Sequence, residues 1–117
     1  MIERVAYFVQ SHLTEKITAT EVAEAFGYSR ARFSTIYKQA TGLGLNEYIT
    51  KEKISLAKRL LENGSMTVTQ ISDQLGFSSP EYFSRRFTQC VGYPPSKYML
   101  GMQLYLQQDA AVPEGDT

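Results

Sequence analysis

Apolar positions recur along this chain at helical spacing. In residues 2–13, Ile2, Val5, Ala6, Val9 and Leu13 form one stripe, which predicts a first helix. In residues 46–63, Ile49, Ile54, Leu56, Ala57, Leu60 and Leu61 form a wider stripe that stops at Gly64. A stripe that wide fits a helix packing on two bodies at once. Between and after these segments the chain repeats itself. Residues 18–29, TATEVAEAFGYS, align with residues 67–78, TVTQISDQLGFS, and residues 33–42, FSTIYKQATG, align with residues 83–92, FSRRFTQCVG. The offset grows from 49 to 50 because one extra residue sits between Ser78 and Phe83. Thr18/Thr67, Thr20/Thr69, Gly27/Gly76, Ser29/Ser78, Phe33/Phe83, Ser34/Ser84, Gln39/Gln89 and Gly42/Gly92 are identical pairs. No useful length alternates with period two, so no strand is predicted.

Each repeat reads as helix, turn, helix. Thr18-x-x-Glu21 and Thr67-x-x-Gln70 are capping-box patterns that open two short helices. Gly27 and Gly76 suit their sharp exits, Ser29 and Ser79 the next N-caps, and Pro80 a first helical position. Gly42 and Gly92 close the second helices. Stepping 100° per residue puts Phe33, Ile36, Tyr37 and Ala40 on one face and Ala31, Ser34, Thr35 and Lys38 opposite. In the second repeat Phe83, Phe87 and Cys90 face the core, while Glu81, Ser84, Arg85 and Thr88 point away. Both outward faces are small or hydrogen-bonding. A helix of this kind, set at an angle by a short helix and a turn, is the helix-turn-helix arrangement, whose second helix fits a DNA major groove. Pro95 starts a last helix over roughly residues 95–107, and the small polar tail AAVPEGDT is expected to be disordered.

Charge sharpens this picture only locally. The chain is neutral overall, but residues 1–100 hold twelve bases against nine acids, and residues 101–117 hold three acids and no base. That excess alone does not point to nucleic acid. The distribution does: residues 30–41 carry Arg30, Arg32 and Lys38 and no acid, while the helix before them carries Glu21 and Glu24 and no base. Arg85 and Arg86 repeat the pattern. Lys51, Lys53, Lys58 and Arg59 alternate with Glu52 and Glu62, which is expected of a solvated face more than of phosphate contacts.

Other chemistries lack their residues. One Cys and one His cannot build a thiolate zinc site or an intramolecular disulfide. Cys90 is expected in the core, and His12 exposed or locally bonded. No nucleophile triad, phosphate-binding Gly loop or catalytic acid pair is present, so neither an enzyme nor a cofactor is expected. No apolar run reaches membrane-spanning length, and MIERVAYFVQSH lacks a signal peptide's apolar core. A soluble, cytoplasmic protein is expected.

The second repeat, Ile71-Ser72-Asp73-Gln74-Leu75-Gly76-Phe77-Ser78-Ser79-Pro80-Glu81-Tyr82-Phe83-Ser84-Arg85-Arg86-Phe87 followed by Gly92-Tyr93-Pro94-Pro95-Ser96-Lys97-Tyr98, resembles the signature of the AraC/XylS family of bacterial transcription regulators. Ser72 stands where that family usually has Ala, and Met99 where it usually has Arg. The first repeat is similar but looser, with Tyr37 in place of the usual Phe. The resemblance covers about residues 3–100. It implies an all-α domain of about seven helices: a first helix-turn-helix subdomain (1–45), a linker helix (46–63) and a second subdomain (64–100), with residues 101–117 as helix end and acidic tail. It implies sequence-specific binding of double-stranded DNA, with recognition helices at about 29–41 and 79–91 in successive major-groove segments. The family's base-contacting positions fall on Ala31, Ser34 and Thr35, and on Pro80, Glu81, Tyr82 and Arg85. Phosphate contacts are expected from Arg30, Arg32, Lys38, Ser79 and Arg86.

Alternatives stay open on sequence alone. A helix-turn-helix-shaped protein-interaction domain with little DNA affinity fits the near-neutral charge and the modest first reading face. Glu81 serves either as a cap paired with Ser78 or as a base discriminator. The resemblance leans towards activation through RNA polymerase and towards a monomeric domain, and it admits a longer regulator with a sensing region of its own.

Overall fold

The helix starts at Ala19, Arg30, Val68 and Pro80 are fixed by Thr or Ser side chains that satisfy backbone N–H groups. The computed structural model describes residues 2–101 and 104. Its helices are α1 (Ile2–His12), α2 (Ala19–Ala25), α3 (Arg30–Thr41), α4 (Leu45–Asn63), α5 (Val68–Gln74) and α6 (Pro80–Val91), with a 3-10 turn at Leu13–Glu15. A seventh helix, α7, begins at residue 95 and is helical through residue 101. Among the described residues there is no strand, and no helix is long and apolar enough to cross a membrane. The rest of the segment expected to end the last helix, and the acidic tail, lie outside the described residues.

The two repeats fold alike down to single hydrogen bonds. Thr18 Oγ1 accepts from the Glu21 N–H at 3.2 Å, and Thr67 Oγ1 from the Gln70 N–H at 3.1 Å. Only the second forms the full box: the Gln70 side chain accepts from the Thr67 N–H. In the first, Thr18 instead donates its hydroxyl to the Glu21 carboxylate. Both short helices then end in the same Schellman turn. Tyr28 N–H bonds Ala23 C=O and Gly27 N–H bonds Glu24 C=O; Phe77 and Gly76 do the same to Ser72 and Asp73. The one-residue insertion becomes a turn of five residues before α6 against four before α3.

Two cores result, and α4 serves both. Val5, Val9, Leu13, Ile17, Val22, Phe33 and Tyr37 are buried in the first lobe, together with Leu45 and Ile49 of α4. Ile71, Leu75, Phe83, Phe87 and Tyr98 are buried in the second, together with Ile54, Ala57 and Leu61 of α4. Stepping 100° per residue places those two α4 groups on different faces, with Lys53 between them. Burying each large side chain contributes about 1.5–3 kcal/mol, so α4 is fixed at both ends by packing and not by its own propensity.

The structure corrects three burial expectations. Lys53 is only 8% exposed, because α4 rotates it into the joint between the lobes rather than onto a solvated face. Cys90 is exposed although its wheel position is apolar. It lines an open groove of about 550 Å³ between α4 and α6, which no helix covers among the described residues. Ala40, in the last turn of α3, is also exposed. His12 behaves as expected: Nδ1 lies 2.7 Å from the Phe8 carbonyl, and the ring stacks on Phe8 at 4.2 Å.

Candidate nucleic-acid interface

The rotation of each recognition helix about its axis is set by a pair of buried rings. Phe33 and Tyr37 anchor α3, and Phe83 and Phe87 anchor α6. Each pair is backed by rings from the preceding turn: Phe26 and Tyr28 stack on Phe33, and Phe77 lies 4.9 Å from Phe83. The entry points are fixed by serine caps. Ser29 Oγ accepts from the Arg32 N–H, and Ser79 Oγ from the Tyr82 N–H at 3.0 Å. Pro80 occupies the first turn, where a missing N–H costs nothing.

With the rings inward, the opposite faces are open. On α3, Arg30, Ala31, Arg32, Thr35 and Lys38 are exposed and Ser34 is half-buried. The Thr35 hydroxyl donates to the Ala31 carbonyl at 3.1 Å, so what it offers outward is an acceptor and a methyl group. Arg30, Arg32 and Lys38 form no ion pair among the described residues. On α6, Glu81, Tyr82 and Arg85 are exposed, while Ser79 and Pro80 are half-buried. The Arg85 guanidinium lies over the Tyr82 ring, 5.7 Å from its centroid. Tyr82, 38% exposed, leans in turn on Phe77.

Two sequence expectations come apart here. The Ser78–Glu81 capping box does not form, because the inserted residue makes Ser79 the cap. Glu81 therefore stands free in the first turn, where the helix dipole favours an acid. Arg86 is not on the open face with Arg85. Its guanidinium bonds Glu47 of α4 at 2.5 Å and Gln89 at 2.7 Å, and its side chain is 19% exposed. It holds α6 against the linker helix, and its Nε is buried without a partner. That cross-link spans 39 residues, and no local pattern announces it.

A family model described as a helix-turn-helix domain matches residues 22–100. The chain belongs to the AraC-type helix-turn-helix family. It is 36% identical over 91 residues to the Bacillus subtilis HTH-type transcriptional regulator YobQ, covering 78% of this chain and 38% of that protein. Its fold matches the C-terminal domain of AraT, a response regulator from Geobacillus stearothermophilus, with TM-score 0.76 and 26% identity, over 86% of this chain and 84% of that one. The DNA-binding domain of AdpA, solved with a target DNA, shares the fold with TM-score 0.80 and 24% identity, over 91% and 96% of the two chains. The AraC-type chain spans 16–38% of the length of the first four curated regulators it matches. The all-α double helix-turn-helix architecture is that of the family, and the matched relatives are named as transcriptional regulators.

Proposed function

We propose that this chain is the DNA-reading part of a transcriptional regulator, placing α3 and α6 in successive major-groove segments of one duplex. The observation that carries the reading is the pair of capped helices, each turned by two buried rings so that a cationic or hydrogen-bonding face is open. Membership of a family of transcriptional regulators, and a shared fold with a domain solved on its target DNA, support it. Base contacts are assigned to Ala31, Ser34 and Thr35 and to Pro80, Glu81, Tyr82 and Arg85. Phosphate contacts are assigned to Arg30, Arg32, Lys38 and Ser79; Arg86 is committed to Glu47. Arg85 is the strongest base reader, since a guanidinium pairs with guanine O6 and N7. A role at a promoter includes contact with RNA polymerase, in the cytoplasm, with this domain acting as a monomer.

Fluorescence anisotropy on a labelled duplex across a salt series tests the reading. Log affinity is expected to fall linearly with log salt, with a slope of about three or more from Arg30, Arg32 and Lys38. A folded protein whose affinity does not respond to salt contradicts it and moves the function to a protein partner.

A further inference from the structure

The two lobes do not close on each other completely. A cleft of about 220 Å³ lies between them, with Thr18 from the first lobe, Asn46, Thr50 and Lys53 from α4, and Ser78 and Tyr82 from the second lobe on its walls. Lys53 is more than nine-tenths buried, and among the described residues it makes no hydrogen bond and no ion pair. Its Nζ overlies the Phe77 ring at 5.7 Å. Burial pushes its pKa below the usual lysine value, and the charge of Glu21 offsets part of that. A partly desolvated ammonium at the end of a buried stem, held over a ring, is an unfinished arrangement, because within the protein its charge meets only a quadrupole and a nearby carboxylate. The other polar side chains of the cleft are hydroxyls and an amide; the Thr18 hydroxyl is donated to Glu21, and Asn46, Thr50, Ser78 and Tyr82 are able to donate. Glu21, the acid whose charge acts on Lys53, is itself tied to the Thr18 hydroxyl.

We propose that this cleft seats a phosphate of the DNA backbone lying between the two major-groove segments. The inference rests on the DNA reading above. Its chemistry is a small anion met by one ammonium and several neutral donors, which is how backbone phosphates are positioned without sequence information. Its location selects the duplex as the source. Tyr82 belongs both to the cleft and to the open face of α6, Ser78 lies on the approach to that helix, and Lys53 stands on the linker between the two readers. A phosphate held there touches both lobes at once and sets the distance between them.

The test titrates a cognate and an unrelated duplex across a salt series, using the full chain, K53M and K53R. K53M keeps the apolar stem and loses the charge. It is expected to lower the salt slope by about one and to weaken both duplexes equally, about eightfold near 0.1 M salt, while K53R keeps the slope. Asn46→Ala, at an exposed position, gives a second reading independent of the core. It is expected to weaken both duplexes alike, about two- to tenfold, with the slope unchanged. An undiminished slope in folded K53M, or full affinity in N46A, overturns the proposal. A wild-type chain with no salt-dependent binding defeats the DNA reading and the cleft assignment together. Thermal stabilisation of the wild type by inorganic phosphate at fixed ionic strength, lost in K53M while the DNA slope stays whole, assigns the cleft to a free anion and also overturns it.

Discussion

Arg85 reaches the open face of α6 across the Tyr82 ring, and that ring narrows the space its guanidinium explores. Under the proposed assignment, less rotamer entropy is then lost when it meets a base edge. Arg85→Ala is expected to cost about 1–3 kcal/mol and to relax preference at one base pair only. Competition binding against a panel of single-base variants measures this; an equal loss on every sequence would make Arg85 a backbone contact. Tyr98 is a residue of a different kind. It is buried in the second core, and its hydroxyl donates to the Glu62 carboxylate. Burial, then the hydrogen bond and charge of Glu62, push its pKa up to about 12. The neutral phenol is therefore favoured by folding. Its contribution is fully present below about pH 10, where an unfolded tyrosine begins to ionise, and is lost as pH rises towards 12. Urea melts of wild type and Tyr98→Phe should converge between pH 10 and 12, and a constant difference across that window would refute the assignment.

At the scale of elements, the Schellman turns of α2 and α5 have nearly identical backbones and different surroundings. Gly27 has φ +82° and Gly76 φ +79°. A Cβ at Gly27 would meet nothing within 4 Å, whereas one at Gly76 would lie 2.8 Å from Lys16 Cβ and 2.9 Å from Lys16 Cα. Lys16 itself holds a left-handed backbone at φ 58°. The α5 turn thus packs against the chain just before α2, and that contact joins the lobes. Gly27→Ala should cost about 1–2 kcal/mol, from left-handed strain alone. Gly76→Ala should cost more, because one of the lobes must also shift. Equilibrium urea unfolding compares the pair; equal losses would show that the Lys16 contact yields freely. Much of this level was legible in the chain. The repeat, the caps at Thr18, Ser29, Thr67 and Ser79, and the ring pairs of α3 and α6 depend on residues within one turn of each other. What was hidden depends on distant cover. A helix wheel put Cys90, which the structure leaves exposed, on the apolar face, but it carries no information about whether a neighbour covers that face. It likewise could not show that Lys53 lies between two cores or that Arg86 finds Glu47.

At the scale of the whole molecule, the proposed function turns on α4, because it fixes how far apart and at what relative rotation the two open faces stand. Leu45 and Ile49 lock it to one core, and Ile54, Ala57 and Leu61 to the other. The Arg86–Glu47 pair adds a lateral tie between α4 and α6. The lobes are thereby presented as one reading unit, and their separation must match the repeat of the duplex. Selection of the purified chain against a random duplex library tests that claim most directly. Two enriched blocks about 10 base pairs apart, with little tolerance for added or deleted base pairs between them, are expected from two helices in successive major-groove segments. A single enriched block, or two blocks at freely variable spacing, would contradict a rigid pair of readers.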